Sequence, residues 1–386
     1  MSSSALPLAA TPKHTLLCAA FFSVTMAFGA YQIIGATLHP DGLDYPRGVK
    51  EFREGISTQA LEKQLDQKMS IRQSFITIAN ATRYQLFSGG GDQVRVGKSD
   101  WLFLADELRY EGEDGKSKNA NPLQAMKTRM DLIAETSKRL EGQGVRILIA
   151  LVPDKARLYS EQLSGGAYPA YNQSRYLDAL KALDERQVAT VNLLAAFSDG
   201  AKTSKESALY YRTDTHWNQQ GAKLAARAIS QQVAALKLDI ARTEFTTKAG
   251  AEMQERPGDL IRLMGLEHVP NALRPRPDQE APDVTIEKGA EKAKQGLFGD
   301  SAVPVVLTGT SYSMRGNFHG YLQEFLAAKV LNTAKDGGGF LQAITTYLKD
   351  DAFKAAKPKV LIWEVPERML RSPLEGEATW LEKSGL

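Results

Sequence analysis

Residues 303–313, Val-Pro-Val-Val-Leu-Thr-Gly-Thr-Ser-Tyr-Ser, constrain the fold more than any other stretch. An apolar, β-branched run bounded by turn residues is the pattern of a strand buried on both faces, as parallel strands are. Two further runs share the form. Val145–Val152 ends at Pro153-Asp154-Lys155, and Lys359–Val365 ends at Pro366-Glu367-Arg368. Between them the spacing predicts helices from Pro122 to about Glu141, from Tyr171 to Arg186 and from Gln219 to about Leu236, with Val188–Leu194 a further strand. Strands alternating with helices predict an α/β fold with a parallel sheet. Ligands bind beyond the carboxyl ends of such strands, so Ser311 stands where a nucleophile would be presented.

A Gly-x-Ser after a strand is equally the signature of a capped turn. A catalytic serine needs an adjacent base, and a carboxylate usually fixes the tautomer of that base. Of five His residues, only His216 has an Asp two positions earlier, in Tyr211-Arg212-Thr213-Asp214-Thr215-His216-Trp217-Asn218. The candidate catalytic set is therefore Asp214, His216 and Ser311. Trp217 is expected to pack the base of the loop, and Asn218 to cap the helix that follows. Asp154 and Lys155 are candidates for substrate contacts, or belong to a solvated loop. Gly337-Gly338-Gly339 can bring backbone amides close to a ligand, or form a flexible turn.

Asp-Thr-His-Trp followed by Gly-Thr-Ser-Tyr-Ser resembles the alginate O-acetyltransferase family, whose catalytic domain is SGNH-hydrolase-like. Gly97-Lys98-Ser99-Asp100-Trp101-Leu102-Phe103, Val152-Pro153-Asp154-Lys155 and Ile362-Trp363-Glu364-Val365-Pro366-Glu367-Arg368 fit the same resemblance, which spans roughly residues 90–370. It implies an SGNH-like parallel sheet flanked by helices, with Asp-x-His placed before the serine, the reverse of ordinary SGNH hydrolases. It implies transfer of an acetyl group through Ser311 to an exopolysaccharide, alginate or bacterial cellulose. The acetyl group would come from a multipass membrane O-acyltransferase, within a complex of polysaccharide-synthesis subunits on the periplasmic side of the bacterial inner membrane. No cofactor is expected. A Gly-x-Asn-Asp block is missing, which leaves the second oxyanion donor open. Tyr312, Gly338, Arg368 and Lys155 are the candidates for oxyanion or substrate binding, and Arg368 and Glu364 could instead form a structural ion pair.

Thr15–Leu38 contains no charged residue. That is long enough to span a bilayer, which takes about 20 apolar residues. An uncleaved anchor is expected, with a cleaved secretory signal as the alternative. The chain then divides into an N-terminal anchor (1–38), a linker and helical lead-in (39–88) and an SGNH-like body (89–386). Residues 240–300, charged and proline-bearing, read as an insertion or subdomain. A net charge of +3 without a basic stripe gives no case for nucleic acid. One Cys and scattered His give none for zinc. Two other classes of function remain: an esterase that removes acetyl groups, and a non-catalytic polysaccharide-binding subunit.

Overall fold

The computed structural model describes residues 72–109, 121–203, 208–289 and 303–383, with some helical residues between 19 and 34. The expected membrane anchor lies largely outside these residues; among the described residues no helix is long and apolar enough to cross a membrane. Two compact units divide the chain, residues 1–79 and 80–386. The first includes the start of a helix, Arg72–Phe87. The expected boundary after residue 88 falls just beyond that helix.

The second unit is built on a five-stranded sheet in the order β10-β9-β11-β3-β4, comprising Val330–Asn332, Val305–Thr308, Val360–Pro366, Arg146–Val152 and Thr190–Asn192. Every pairing is parallel, with Val360 opposite both Arg146 and Val305. Because side chains alternate along a strand, each central strand feeds two cores. Ile147, Ile149 and Leu151 join Leu361, Trp363 and Val365 on one face, against Met130, Ile133, Leu140 and Ile344. Leu148, Ala150 and Val152 join Ile362 and Leu307 on the other, against Trp217, Ala222, Ala226 and Phe318. The apolar runs are thus dictated by burial on both faces.

Helix Pro122–Glu141 forms as predicted, its Asn121 side chain accepting from the Gln124 amide and Pro122 occupying the first turn. Helix Gln219–Ala235 is capped by Asn218, as expected. Other boundaries differ. Helix Arg175–Glu185 starts later than Tyr171, behind a 3-10 turn at Ala170–Asn172. The strand expected over 188–194 shrinks to Thr190–Asn192, because Asn192 caps a helix that begins at Leu193 by accepting from the Ala195 amide. A further helix runs Phe318–Leu326 and stops where Ala327 turns left-handed. Residues 240–289 form two small antiparallel pairs, β5 (Phe245–Lys248) with β8 (Val284–Glu287) and β6 (Gln254–Arg256) with β7 (Asp278–Glu280), plus a short helix, Asp259–Leu263.

A buried ionic network closes the carboxyl ends of β3 and β11. Arg157 Nε lies 2.9 Å from Glu367 Oε2, the Asp154 amide donates to the same oxygen at 3.1 Å, and Arg175 pairs with Asp154. Tyr168 Oη donates to Asp154 at 2.9 Å. Glu107, fully buried, accepts from the Ala156 amide at 2.9 Å through one oxygen, and the other has no partner. Burial, then the Asp154 charge, pushes its carboxyl up to about 8. Since this folded value lies above the ordinary carboxylate range, the unfolded chain binds fewer protons between about pH 4.5 and 8, and stability falls as pH rises through that window. Glu107→Gln keeps the shape and removes the charge. Its melting midpoint is expected to match wild type near pH 5 and to exceed it at pH 8 to 9; thermal melts across pH check this. A parallel fall in both proteins would show that the cost lies elsewhere.

Candidate active site

The Asp-x-His spacing organises itself. Asp214 Oδ1 accepts the backbone N–H of His216 at 3.0 Å, an Asx turn that lays the carboxylate beside the ring. The same oxygen lies 2.6 Å from His216 Nδ1, and Nε2 lies 2.7 Å from Ser311 Oγ. All three residues are buried, with Ser311 7% exposed. Burial acts to raise the Asp214 carboxyl, but the hydrogen bond and charge of His216, with Arg256 beyond, more than offset it and hold Asp214 well below the usual carboxylate range. An ionised Asp214 places the proton on Nδ1 and leaves the Nε2 lone pair towards Ser311.

Ser311 opens a 3-10 turn, Ser311–Met314, at the end of β9. Gly309, two residues before Ser311, has φ +153, and a Cβ there would lie 2.6 Å from Glu364 Oε2. Glu364 accepts from the Thr310 amide at 2.7 Å and from the hydroxyls of Thr310 and Ser313. This corrects the expected Glu364–Arg368 ion pair: the carboxylate braces the serine turn. It also turns Ser313, fully buried, away from His216. Burial raises the Glu364 carboxyl despite these donors.

The other sequence candidates separate. Tyr312 lies under the base, its Oη donating to the Thr215 carbonyl at 2.9 Å and its ring 4.8 Å from that of His216. Trp217 packs against Tyr312 and Phe318, as expected. Arg368 sits over the Tyr312 ring at 5.4 Å and lines a cavity of about 1130 Å³ together with Arg109, Gly338, Gln342 and Trp380. Gly338 shares that cavity, but its amide already donates to the Lys335 carbonyl at 3.2 Å, which corrects its assignment as an oxyanion donor. Lys155 is also corrected. It is fully buried, and Nζ donates to the carbonyls of Leu102, Arg212 and Asp214 at 2.6, 2.8 and 3.0 Å. All three ammonium hydrogens are engaged, so none is left for a substrate. Of the other described His residues, His319 is bonded to the Val330 carbonyl and His268 is exposed.

Four residues of the 240–289 region, none foreseen as site residues, hold the base loop. Asp278 accepts from the amides of Arg212 and Thr213 at 2.9 Å each. Asp259 accepts from the Thr215 amide at 2.7 Å and gives its own amide to Asp214 Oδ2 at 3.2 Å. Arg256 Nη2 lies 3.8 Å from Asp214 Oδ2. Gly258 passes so close that a Cβ would lie 2.0 Å from the Thr213 carbonyl oxygen. The signal in the sequence was the turn Pro257-Gly258-Asp259, visible only as a turn. Among the described residues, the ligand atoms of Asp214, His216 and Asp259 lie within 4.8 Å of one another. The short Asp214–His216 hydrogen bond and the adjacent guanidinium suit this group to holding a proton rather than a cation.

Residues 94–367 match the family described as SGNH hydrolase-like domain, acetyltransferase AlgX. The chain is 32% identical to the probable alginate O-acetylase AlgJ of Pseudomonas aeruginosa over 326 residues, covering 82% of this chain and 80% of the relative. It is 29% identical to the alginate biosynthesis protein AlgX of Azotobacter vinelandii over 275 residues, covering 70% of this chain and 54% of the relative. The solved O-acetyltransferase domain of Pseudomonas putida AlgJ superposes with a TM-score of 0.64 at 30% identity, covering 76% of this chain and 98% of that one.

Gly258 gives a test of the clamp. Gly258→Ala forces a methyl group into backbone that cannot move without shifting Asp214. Overpacking of this kind costs about 1–3 kcal/mol. The variant is expected to lose stability in urea unfolding and to lose reactivity at Ser311 toward an acylating reagent. Wild-type values of both would show that the close approach is not needed.

Proposed function

The chain belongs to the family of SGNH hydrolase-like, AlgX-type acetyltransferase domains, and from that premise we propose that it carries an acetyl group on Ser311 and delivers it to hydroxyls of an exopolysaccharide. The observation that supports this most is the continuous hydrogen-bonded line from Asp214 through His216 to Ser311. Ser311 Oγ attacks the acetyl carbonyl as His216 Nε2 takes its proton. Asp214 stabilises the imidazolium. The Ser311 amide serves the oxyanion, a donor of a kind worth about 3–4 kcal/mol. Collapse expels the donor's leaving group, which takes the proton from His216. A sugar hydroxyl then gives its proton to His216 and attacks the acyl-enzyme, and Ser311 leaves as it regains a proton.

Water in place of the sugar would make an esterase of the same residues. Two features favour transfer: the nearly complete burial of Ser311 and the naming of the relatives as O-acetylases. Arg368, at the rim between the Tyr312 ring and the large cavity, is the candidate contact for the acceptor. The relatives' names make alginate the first polymer to test, with cellulose the second. The uncharged stretch Thr15–Leu38 supports a membrane anchor; the likeness to alginate-biosynthesis proteins supports a periplasmic body beginning near residue 89, acetyl supply by a multipass membrane O-acyltransferase and other polysaccharide-synthesis subunits as partners.

Incubation with an activated acetyl ester, followed by mass analysis, is expected to find acetyl on Ser311 and not on Ser313. Ser311→Ala should acquire none. Asp214→Asn should slow acetylation by orders of magnitude, about 10⁴ being the loss for the same change in another triad, with little change in melting. Added polymer should discharge the adduct to acetylated polymer faster than water releases acetate. Release of acetate alone, unaffected by polymer, would assign the esterase; neither acetyl on Ser311 nor acetylated polymer, with polymer still bound, would assign the binding subunit.

A further inference from the structure

Asp214 is not the only carboxylate at the base. Asp259, at the start of helix Asp259–Leu263, turns Oδ2 to within 3.6 Å of His216 Nδ1. Its other oxygen accepts from the amide and hydroxyl of Thr215 at 2.7 and 3.1 Å. A clamp on Thr215 accounts for Oδ1 but not for Oδ2, which is aimed at the ring. The side chain is only 20% exposed, so water does little to screen it. The approach is built: Gly258 admits the backbone contact with Thr213, and the Asp259 amide donates to Asp214 Oδ2.

We propose that Asp259 is a second positioning carboxylate for the base, holding the Nδ1 side of His216 jointly with Asp214 and favouring the imidazolium that forms during acyl transfer. The proposal rests on the acyl-enzyme reading above. Local charge supports it. Arg256 lies 3.8 Å from Asp214 Oδ2. Asp214, Asp259, Arg256 and a neutral ring carry a net negative charge; with an imidazolium they sum to zero. The site is thus electrically complete when the base has taken the serine proton, which is stabilisation of the transition state rather than of the resting enzyme. The other charged groups near the loop face its far side. Lys155 holds the Asp214 carbonyl, Asp278 holds the Thr213 amide, and Arg368 lies beyond the Tyr312 ring.

The test is the rate of p-nitrophenol release from p-nitrophenyl acetate against pH, for full-length wild type, Asp259→Asn, Asp259→Ala and Ser311→Ala. Asn keeps an acceptor for Thr215 and the backbone bond to Asp214, so its fold is expected to be intact, with melting close to wild type. It removes the charge. An opposite charge within about 4–6 Å favours the charged form of a titrating group. The acid limb of the Asp259→Asn profile is therefore expected to move to lower pH, with kcat at least tenfold lower, KM unchanged and Asn no better than Ala. Wild-type rate and profile in Asp259→Asn, with only Ala impaired, would reduce Asp259 to a structural clamp and overturn the proposal. A lower rate with an unmoved acid limb would overturn it too. Ser311→Ala reacting at the wild-type rate would instead remove the acyl-enzyme reading, and this inference with it.

Discussion

The ammonium of Lys155 is the interaction on which the rest of this site depends. It stands at the carboxyl end of β3 and takes up three carbonyls from two other segments, Leu102 at the start of the short strand Leu102–Leu104 and Arg212 and Asp214 on the base loop. Trp101 and Phe103 cover it, each 5.2 Å from Nζ. Burial lowers its pKa to about 8, and nearby acidic groups, Glu107 foremost, act to keep the charge. A buried cation with three carbonyl acceptors is satisfied only if all three segments arrive together. The base loop has almost no regular structure of its own, merely one bridge from Tyr210 to Trp217. Lys155 therefore fixes that loop to the sheet from below, while Asp278 and Asp259 fix it from above.

This division of labour explains why so many carboxylates crowd one edge. Asp214 is held ionised by the base it serves. Asp259 and Glu364 are pushed upward, chiefly by burial, yet each accepts backbone and hydroxyl donors from the catalytic turns. Glu367 and Asp154 are neutralised by Arg157 and Arg175 in the network beneath. Such buried pairs are weak evidence for stability, since desolvation offsets much of their attraction. What they supply is fixed geometry. Asp154 and Glu367 join the ends of β3 and β11, two adjacent strands of the sheet.

The sequence exposed what is local and concealed what is assembled. The central strands were legible because burial on both faces leaves an uninterrupted apolar run. Helix Pro122–Glu141 was legible because Asn121, Pro122 and the apolar spacing act within a few residues of one another. The Asp214–His216 pair of the proposed site was legible because its two members lie two residues apart and an Asx turn sets one against the other. Helix Gln342–Lys349 was missed although Ile344, Tyr347 and Leu348 carry the right spacing; the glycines before it and two threonines within it hid the pattern. Lys155 was misread because a charged residue after a strand usually meets water, and its three acceptors come from distant parts of the chain. Asp259 and Asp278 could not be seen at all, since nothing within their own segment refers to the loop they hold.

The 240–289 region, part of the 240–300 stretch read from sequence as an insertion or subdomain, thus holds the base loop of the proposed site. A serine and a histidine on one scaffold would already make a nucleophile. Here the serine belongs to the sheet, and the base belongs to a loop clamped by the inserted pairs. Their 2.7 Å contact is a tertiary contact between two separately supported pieces. The sheet holds one side of that contact and the inserted pairs hold the other. Under the proposed mechanism the reactivity of Ser311 therefore depends on how firmly β6, β7 and helix Asp259–Leu263 hold the base loop.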